Sequence, residues 1–114
     1  MILPAPIATR SLVLVEGRET RRVEIVVFAP EPVGKDYNCR YEIHWPAEVW
    51  KNHGLGVDSI QALVLALHKI GVDLNSSEAG KEGRLGWFDP GDGVGFPVPG
   101  KVRDVLRGRD RKLF

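Results

Sequence analysis

A single cysteine, Cys39, stands in 114 residues, so the chain can form no internal disulfide and no cysteine-built zinc cage. No apolar run approaches the roughly 18 residues that a membrane-spanning helix needs. The opening stretch MILPAPIATRSLVLV is apolar, but it lacks a basic leading region and is interrupted by Pro4, Pro6 and Arg10, so it does not read as a secretory signal. Charge of one sign is also scarce. Sixteen Lys and Arg against fifteen Asp and Glu leave a net +1, which gives the whole chain no pull toward nucleic acid or an anionic membrane. There are no internal repeats, and the length suits one hydrophobic core. These absences point to a cytoplasmic protein with no membrane partner.

What is present is mostly alternation. IATRSLVLV, the turn around Gly17 and RRVEIVVF read as a hairpin, with Val23, Ile25 and Val27 on one face and Arg22 and Glu24 on the other. APEPVGKD reads as a loop on its prolines and glycine. In YNCRYEIHW, Tyr37, Cys39, Tyr41, Ile43 and Trp45 share a face opposite Asn38, Arg40, Glu42 and His44, the pattern of an antiparallel strand buried on one side. VWKNHGL is expected as a fourth strand and RLGWF as a short fifth. Between them GVDSIQALVLALHKIGVDL predicts a helix. Asp58 is its N-cap, Gln61 completes a capping-box pattern, and Ile60, Leu63, Leu67, Ile70 and Leu74 form its stripe. NSSEAGKEG is expected to end the helix in a loop, and DPGDGVGFPVPG to be irregular. The fold class is therefore α+β: an antiparallel meander sheet of four to five strands with one main helix on its apolar face. It occupies residues 1–100 as a single domain, and residues 101–114 form a basic C-terminal tail with a short helix stopped by Gly108.

Motifs with chemistry fail on inspection. GFPVPGK, Gly95 to Lys101, has the outline of a phosphate loop, but Pro97 and Pro99 offer no N–H and Val102 stands where a hydroxyl residue belongs. His44, His53, His68 and Cys39 lack zinc-ligand spacing. Ser11 and Ser59 sit in no nucleophile-elbow context, and Cys39 lies mid-strand on the apolar side, where burial blunts a thiol. Asp89 and Asp92 lack the remaining positions of a calcium loop. No cofactor, metal site or catalytic residue is expected. One alternative places a small enzyme site at the 44–53 hairpin, where His44, Glu48 and His53 would converge.

Two surfaces remain. Residues 101–114 hold six basic side chains against two acidic ones, while the first hundred hold ten against thirteen. Lys101, Arg103, Arg107, Arg109 and Arg111 are thus candidate anion contacts, and nucleic-acid or anionic-ligand binding through them is the runner-up function. Without aromatic interleaving or a recognisable module, nucleic acid is not the expected partner. On the helix, Leu65 and Val72 fall opposite the main stripe, beside His68 and Lys69. They are expected to be covered by the C-terminal segment through Val102, Val105, Leu106 or Phe96; the alternatives are a protein partner or second copy, or isolated aliphatics left exposed.

YNCRYEIHW, GVDSIQALVLALHKIGVDL and RLGWF…GFP together resemble a family of small uncharacterised bacterial proteins, a domain of unknown function. It has a Cys-containing strand, a G-V-D-S-I-Q-A-L helix start and a C-terminal Gly-Phe-Pro. Cys39, Gly56, Asp58, Gln61, Ala62, Leu63, Gly95, Phe96 and Pro97 are the matching positions, and the basic tail lies outside them. The resemblance carries over no catalytic residue. The resulting expectation is a non-enzymatic protein-binding domain in an immunity-type or accessory role.

Overall fold

The computed structural model describes residues 4–114, so residues 1–3 of the apolar N-terminal stretch and of the predicted domain lie outside the described residues. The expected hairpin forms from β1 (Pro6–Glu16) and β2 (Glu19–Phe28), in register from Glu16↔Glu19 to Ala8↔Val27. Its turn uses Gly17 at φ 61°, a left-handed conformation that glycine adopts without a Cβ clash.

APEPVGKD is more than a loop. Glu31–Val33 form a short strand, β3, that pairs with β4 (Asp36–His44) around a turn at Gly34. β4 pairs β5 (Val49–Gly56) along its whole length, and it pairs β3 at residues 36–38 and β2 at residues 41–44. Because a strand has only two edges, β2 and β3 must share the edge opposite β5. They are two halves of one line, broken at Ala29–Pro30. Proline supplies no N–H to a ladder, which is why the break reads as loop in the sequence.

Leu85–Gly86, β6, pairs with β1. The sheet therefore runs β6, β1, β2 with β3, β4, β5, and its main strands are sequential antiparallel neighbours, the predicted meander with one more strand than expected.

One main helix, α1 (Ser59–Ser76), packs across the apolar face of this sheet. Leu12, Leu14, Val23, Ile25, Val27, Cys39, Tyr41 and Ile43 contribute the sheet side of the core. Asp58 caps the helix as predicted, with Oδ1 accepting from the Gln61 N–H at 2.8 Å. Gln61 reaches back one residue further than a standard capping box, accepting from the Val57 N–H at 2.8 Å.

The buried face of α1 differs from the predicted stripe. Ala62, Ala66, Ile70, Gly71, Leu74 and Asn75 are buried, while Ile60 is 71% exposed. The cause is the close approach of α1 to β5. A Cβ at Gly54 would lie 2.4 Å from the Ala66 nitrogen, and one at Gly56 2.4 Å from the Ala62 nitrogen. Small residues facing small residues turn the helix toward β5, and a wheel weighted by large aliphatics does not register them.

NSSEAGKEG is a second helical turn where a loop was expected. Ser77 Oγ accepts from the Gly80 N–H at 3.0 Å and starts α2 (Glu78–Lys81). The irregular stretch after β6 is as predicted, yet it carries buried Val94, Phe96 and Val98. It seats on α1 at Gly71, where a Cβ would meet the Pro97 carbonyl at 2.0 Å. In the C-terminal segment, residues Gly100–Val105 form a 3₁₀ helix and Asp110–Leu113 form α3, with Leu106 and Asp110 buried. No helix among the described residues is long and apolar enough to cross a membrane.

Candidate functional site

The residues singled out on α1 lie on its outer side. Leu65 is 36% exposed, and Val72 and His68 are half-buried. Lys69 is committed locally, since its Nζ donates to the His53 carbonyl at 2.8 Å. The segment 97–98 reaches α1 on the side of Gly71 and does not bury Leu65. Leu65, Lys69, Val72 and Ser76 follow one line of the helix at spacings of three and four, and that line leads into a sizeable concavity.

This cleft, about 570 Å³, opens at the end of the sheet and helix layers, where the β4–β5 turn meets the last turns of α1 and the start of α2. Its position follows from strand length. Alternation carries Ile43 and Trp45 to the helix side, but β4 stops at His44, so Trp45 projects past the ladder and remains half-buried. Trp45, Pro46, Glu48 and Trp50 line one side; Asp73, Ser76, Ser77 and Glu78 line the other.

Asp73 ties the two sides together. Its Oδ2 accepts from the Tyr41 hydroxyl and from Trp50 Nε1 at 3.1 Å. Tyr41 is fully buried, and burial, reinforced by the Asp73 carboxylate, pushes its pKa well up. At neutral pH it is a hydrogen-bond donor and no base. The serine hydroxyls are engaged as well: Ser76 Oγ donates to the Val72 carbonyl at 2.5 Å and Ser77 Oγ to the Leu74 carbonyl at 2.6 Å.

The lining is strongly unbalanced in charge, with Glu16, Glu48, Asp73 and Glu78 against Arg84. Arg84 is already paired with Glu82 at 2.7 Å and donates to the Val15 carbonyl. Glu16 pairs with Arg21 at 3.2 Å. Glu48, Asp73 and Glu78 make no ion pair among the described residues.

The hairpin does not assemble His44, Glu48 and His53. Its register sets His44 opposite Val49 and His53 opposite Arg40, so the two imidazoles are separated by four residue steps, roughly 13 Å along the sheet. His44 is bound to Glu42 on the open face at 2.8 Å, whereas Glu48 lines the cleft on the helix side. No group of three His, Cys, Asp or Glu side chains able to hold a metal ion forms among the described residues.

Of the candidate anion contacts, Arg107 is half-buried and the others are exposed, but the four arginines have partners within the chain. Arg103 donates to the Phe114 and Arg111 carbonyls, Arg107 to Val105 and Arg111 to Leu106, while Arg109 pairs with Asp92 at 3.2 Å. Lys101 is exposed.

Asp110, an acidic residue inside this basic stretch, is the anchor of the C-terminal segment. It is 2% exposed and accepts from the Val94 N–H at 2.9 Å and the Gly95 N–H at 3.1 Å. Nearby, the Arg10 guanidinium stacks 3.6 Å from the Trp87 ring centroid and 4.8 Å from that of Phe96, and donates to the Gly95 carbonyl. Gly-Phe-Pro is thus held from both sides by charged groups. Asp73, Trp50 and Asp110 went unrecognised in the sequence because each acts on a partner 16 or more residues away. The unpaired Trp45 at the end of an alternating strand was the one local sign of the cleft.

A family model, domain of unknown function DUF6968, matches residues 8–98, and the chain belongs to that family. No curated protein and no solved structure matches the chain.

Proposed function

We propose that this family member is a non-catalytic protein-binding domain, in an accessory or immunity-type role, that holds a segment of its partner in the cleft between Trp45 and Asp73. The observation that carries this reading is the pair of tryptophans lining this cleft. Trp50 is 47% exposed and Trp45 half-buried, although large aromatics normally bury most of their surface. Partly exposed tryptophan beside a recess is the composition of a binding hot spot. The polar groups around them favour binding over chemistry. The Ser76 and Ser77 hydroxyls donate to backbone carbonyls, which are not bases, and the Tyr41 hydroxyl, though bonded to Asp73, belongs to a fully buried side chain whose pKa is raised. Leu65 and Val72, along the line that ends at Ser76, extend the same surface. The lone thiol, Cys39, is buried and needs no oxidising compartment, which fits a cytoplasmic setting.

The test is selection of binders from a random displayed-peptide library on the intact chain. Peptides that bind should lose affinity by about tenfold or more on Trp50→Ala, the scale of a hot-spot truncation. Circular dichroism would check that the variant is folded. Selection that yields no peptide competing at the cleft would refute the reading.

A further inference from the structure

We infer that the segment taken by this cleft is basic, with the ammonium or guanidinium group of a partner lysine or arginine seated against Trp45 and Trp50 beside Asp73. This inference rests on the protein-binding reading above and specifies the partner's chemistry.

Three features of the cleft lead to it. Four of its lining side chains are carboxylates and one is a guanidinium, and that guanidinium is occupied by Glu82. Glu48 and Glu78 are exposed at the rim and make no ion pair among the described residues, so neither carboxylate is neutralised by direct contact. Indole rings also attract cations through the negative potential of their faces, more strongly than other aromatic rings do. Finally, Asp73 is pre-positioned: Tyr41 and Trp50 both donate to Oδ2, which orients the carboxylate while Oδ1 keeps its capacity to accept.

An anionic segment would meet Glu48, Asp73 and Glu78 with no available cation. A purely apolar one would strip water from these carboxylates without supplying a donor, a costly exchange. A basic side chain satisfies both conditions, since its aliphatic stem covers the indoles and its head meets the carboxylates. The chain's own basic residues 103–111 are poorer occupants when offered by a second copy, because Arg103, Arg107 and Arg111 donate to carbonyls of the C-terminal segment and Arg109 pairs with Asp92.

The experiment is a titration of the full chain, followed by nitrogen–proton correlation NMR, with hexapeptides of alternating glycine and arginine, glycine and lysine, or glycine and glutamate. The Trp50 indole N–H, bonded to Asp73, is the internal reporter. We expect saturable shifts of the Trp45 and Trp50 indoles with the arginine or lysine peptide and none with the glutamate peptide. The exposed double substitution Glu48→Gln/Glu78→Gln, which leaves the core untouched, should weaken binding by about threefold to tenfold. Raising salt from about 50 to 500 mM should weaken it further by shortening the Debye length.

Equal binding of the glutamate peptide, or indifference to salt and to the double substitution, would overturn the inference. So would library-selected cleft binders that are apolar or acidic, and in that case the protein-binding reading stands. Self-association lost in the double variant would assign the cleft to a second copy and overturn a foreign basic partner. If neither basic hexapeptide binds and the library yields no cleft binder, the inference falls together with the reading it rests on.

Discussion

Replacing Asp110 by alanine tests whether residues after Gly100 belong to the folded unit. The carboxylate accepts from two backbone donors, Val94 N–H and Gly95 N–H, and is 2% exposed. Alanine leaves both donors without their partner, the Val94 N–H in a buried position and the Gly95 N–H in a half-buried one. An unsatisfied buried donor costs about 1–3 kcal/mol, so the two together give roughly 2–6 kcal/mol. For a chain of this length that is a fall in Tm of roughly 8–25 °C.

The same site has a pH signature. Burial raises the Asp110 pKa above its ordinary 3.8, with the Gly95 and Val94 N–H groups and Arg10 pulling it part of the way back. A carboxyl whose folded pKa is raised holds its proton where the unfolded chain has released it. Its contribution to stability is therefore fully present below 3.8 and is lost as pH rises through the raised value. Asp110→Asn should remove that component of the pH profile.

Thermal and urea unfolding across this range would measure both effects, with Asp104→Ala, an exposed carboxylate in the same segment, as the control expected within about 0.5 kcal/mol. An Asp110→Ala protein as stable as the control would refute the anchoring of Gly-Phe-Pro by this residue.

Three further outcomes are expected. Cys39 is fully buried with its Sγ near the Phe28 carbonyl at 3.3 Å, and burial raises its pKa, so a thiol reagent should label the native protein only at the rate of structural opening; rapid stoichiometric labelling at neutral pH would contradict the register of β4. Asp58→Ala should lower the unfolding free energy by about 1 kcal/mol through loss of the cap to Gln61, and unchanged stability in denaturant would contradict it. Tyr41→Phe should cost about 1–2 kcal/mol for the lost bond to Asp73. Because the folded tyrosine keeps its proton above its ordinary pKa of 10.0, stability should decline as pH rises past that value in the parent protein, and less steeply in the variant. Parallel alkaline profiles would show that Tyr41 is not the group responsible.

Much of the architecture was legible along the chain because its signals are local. Alternation in RRVEIVVF and YNCRYEIHW sets which side chains of β2 and β4 are buried, and a period of two depends only on backbone pleat. Asp58 three residues before Gln61 marks the helix start because the cap closes within one turn. Tertiary structure alone decided the rest. The rotation of α1 depends on Gly54 and Gly56 admitting the Ala62–Ala66 backbone, and neither glycine nor alanine carries a strong hydrophobic signal. β3 exists only because β4 extends beyond the reach of β2 and needs a partner there. Asp73 and Asp110 read as solvated charges in the sequence. The first becomes the centre of a cleft when folding brings Tyr41 and Trp50 to it from 32 and 23 residues away, and the second becomes a buried anchor when Val94 and Gly95 present it with two N–H groups. A charge is assigned its role by the donors that surround it, and only the folded chain brings those donors together.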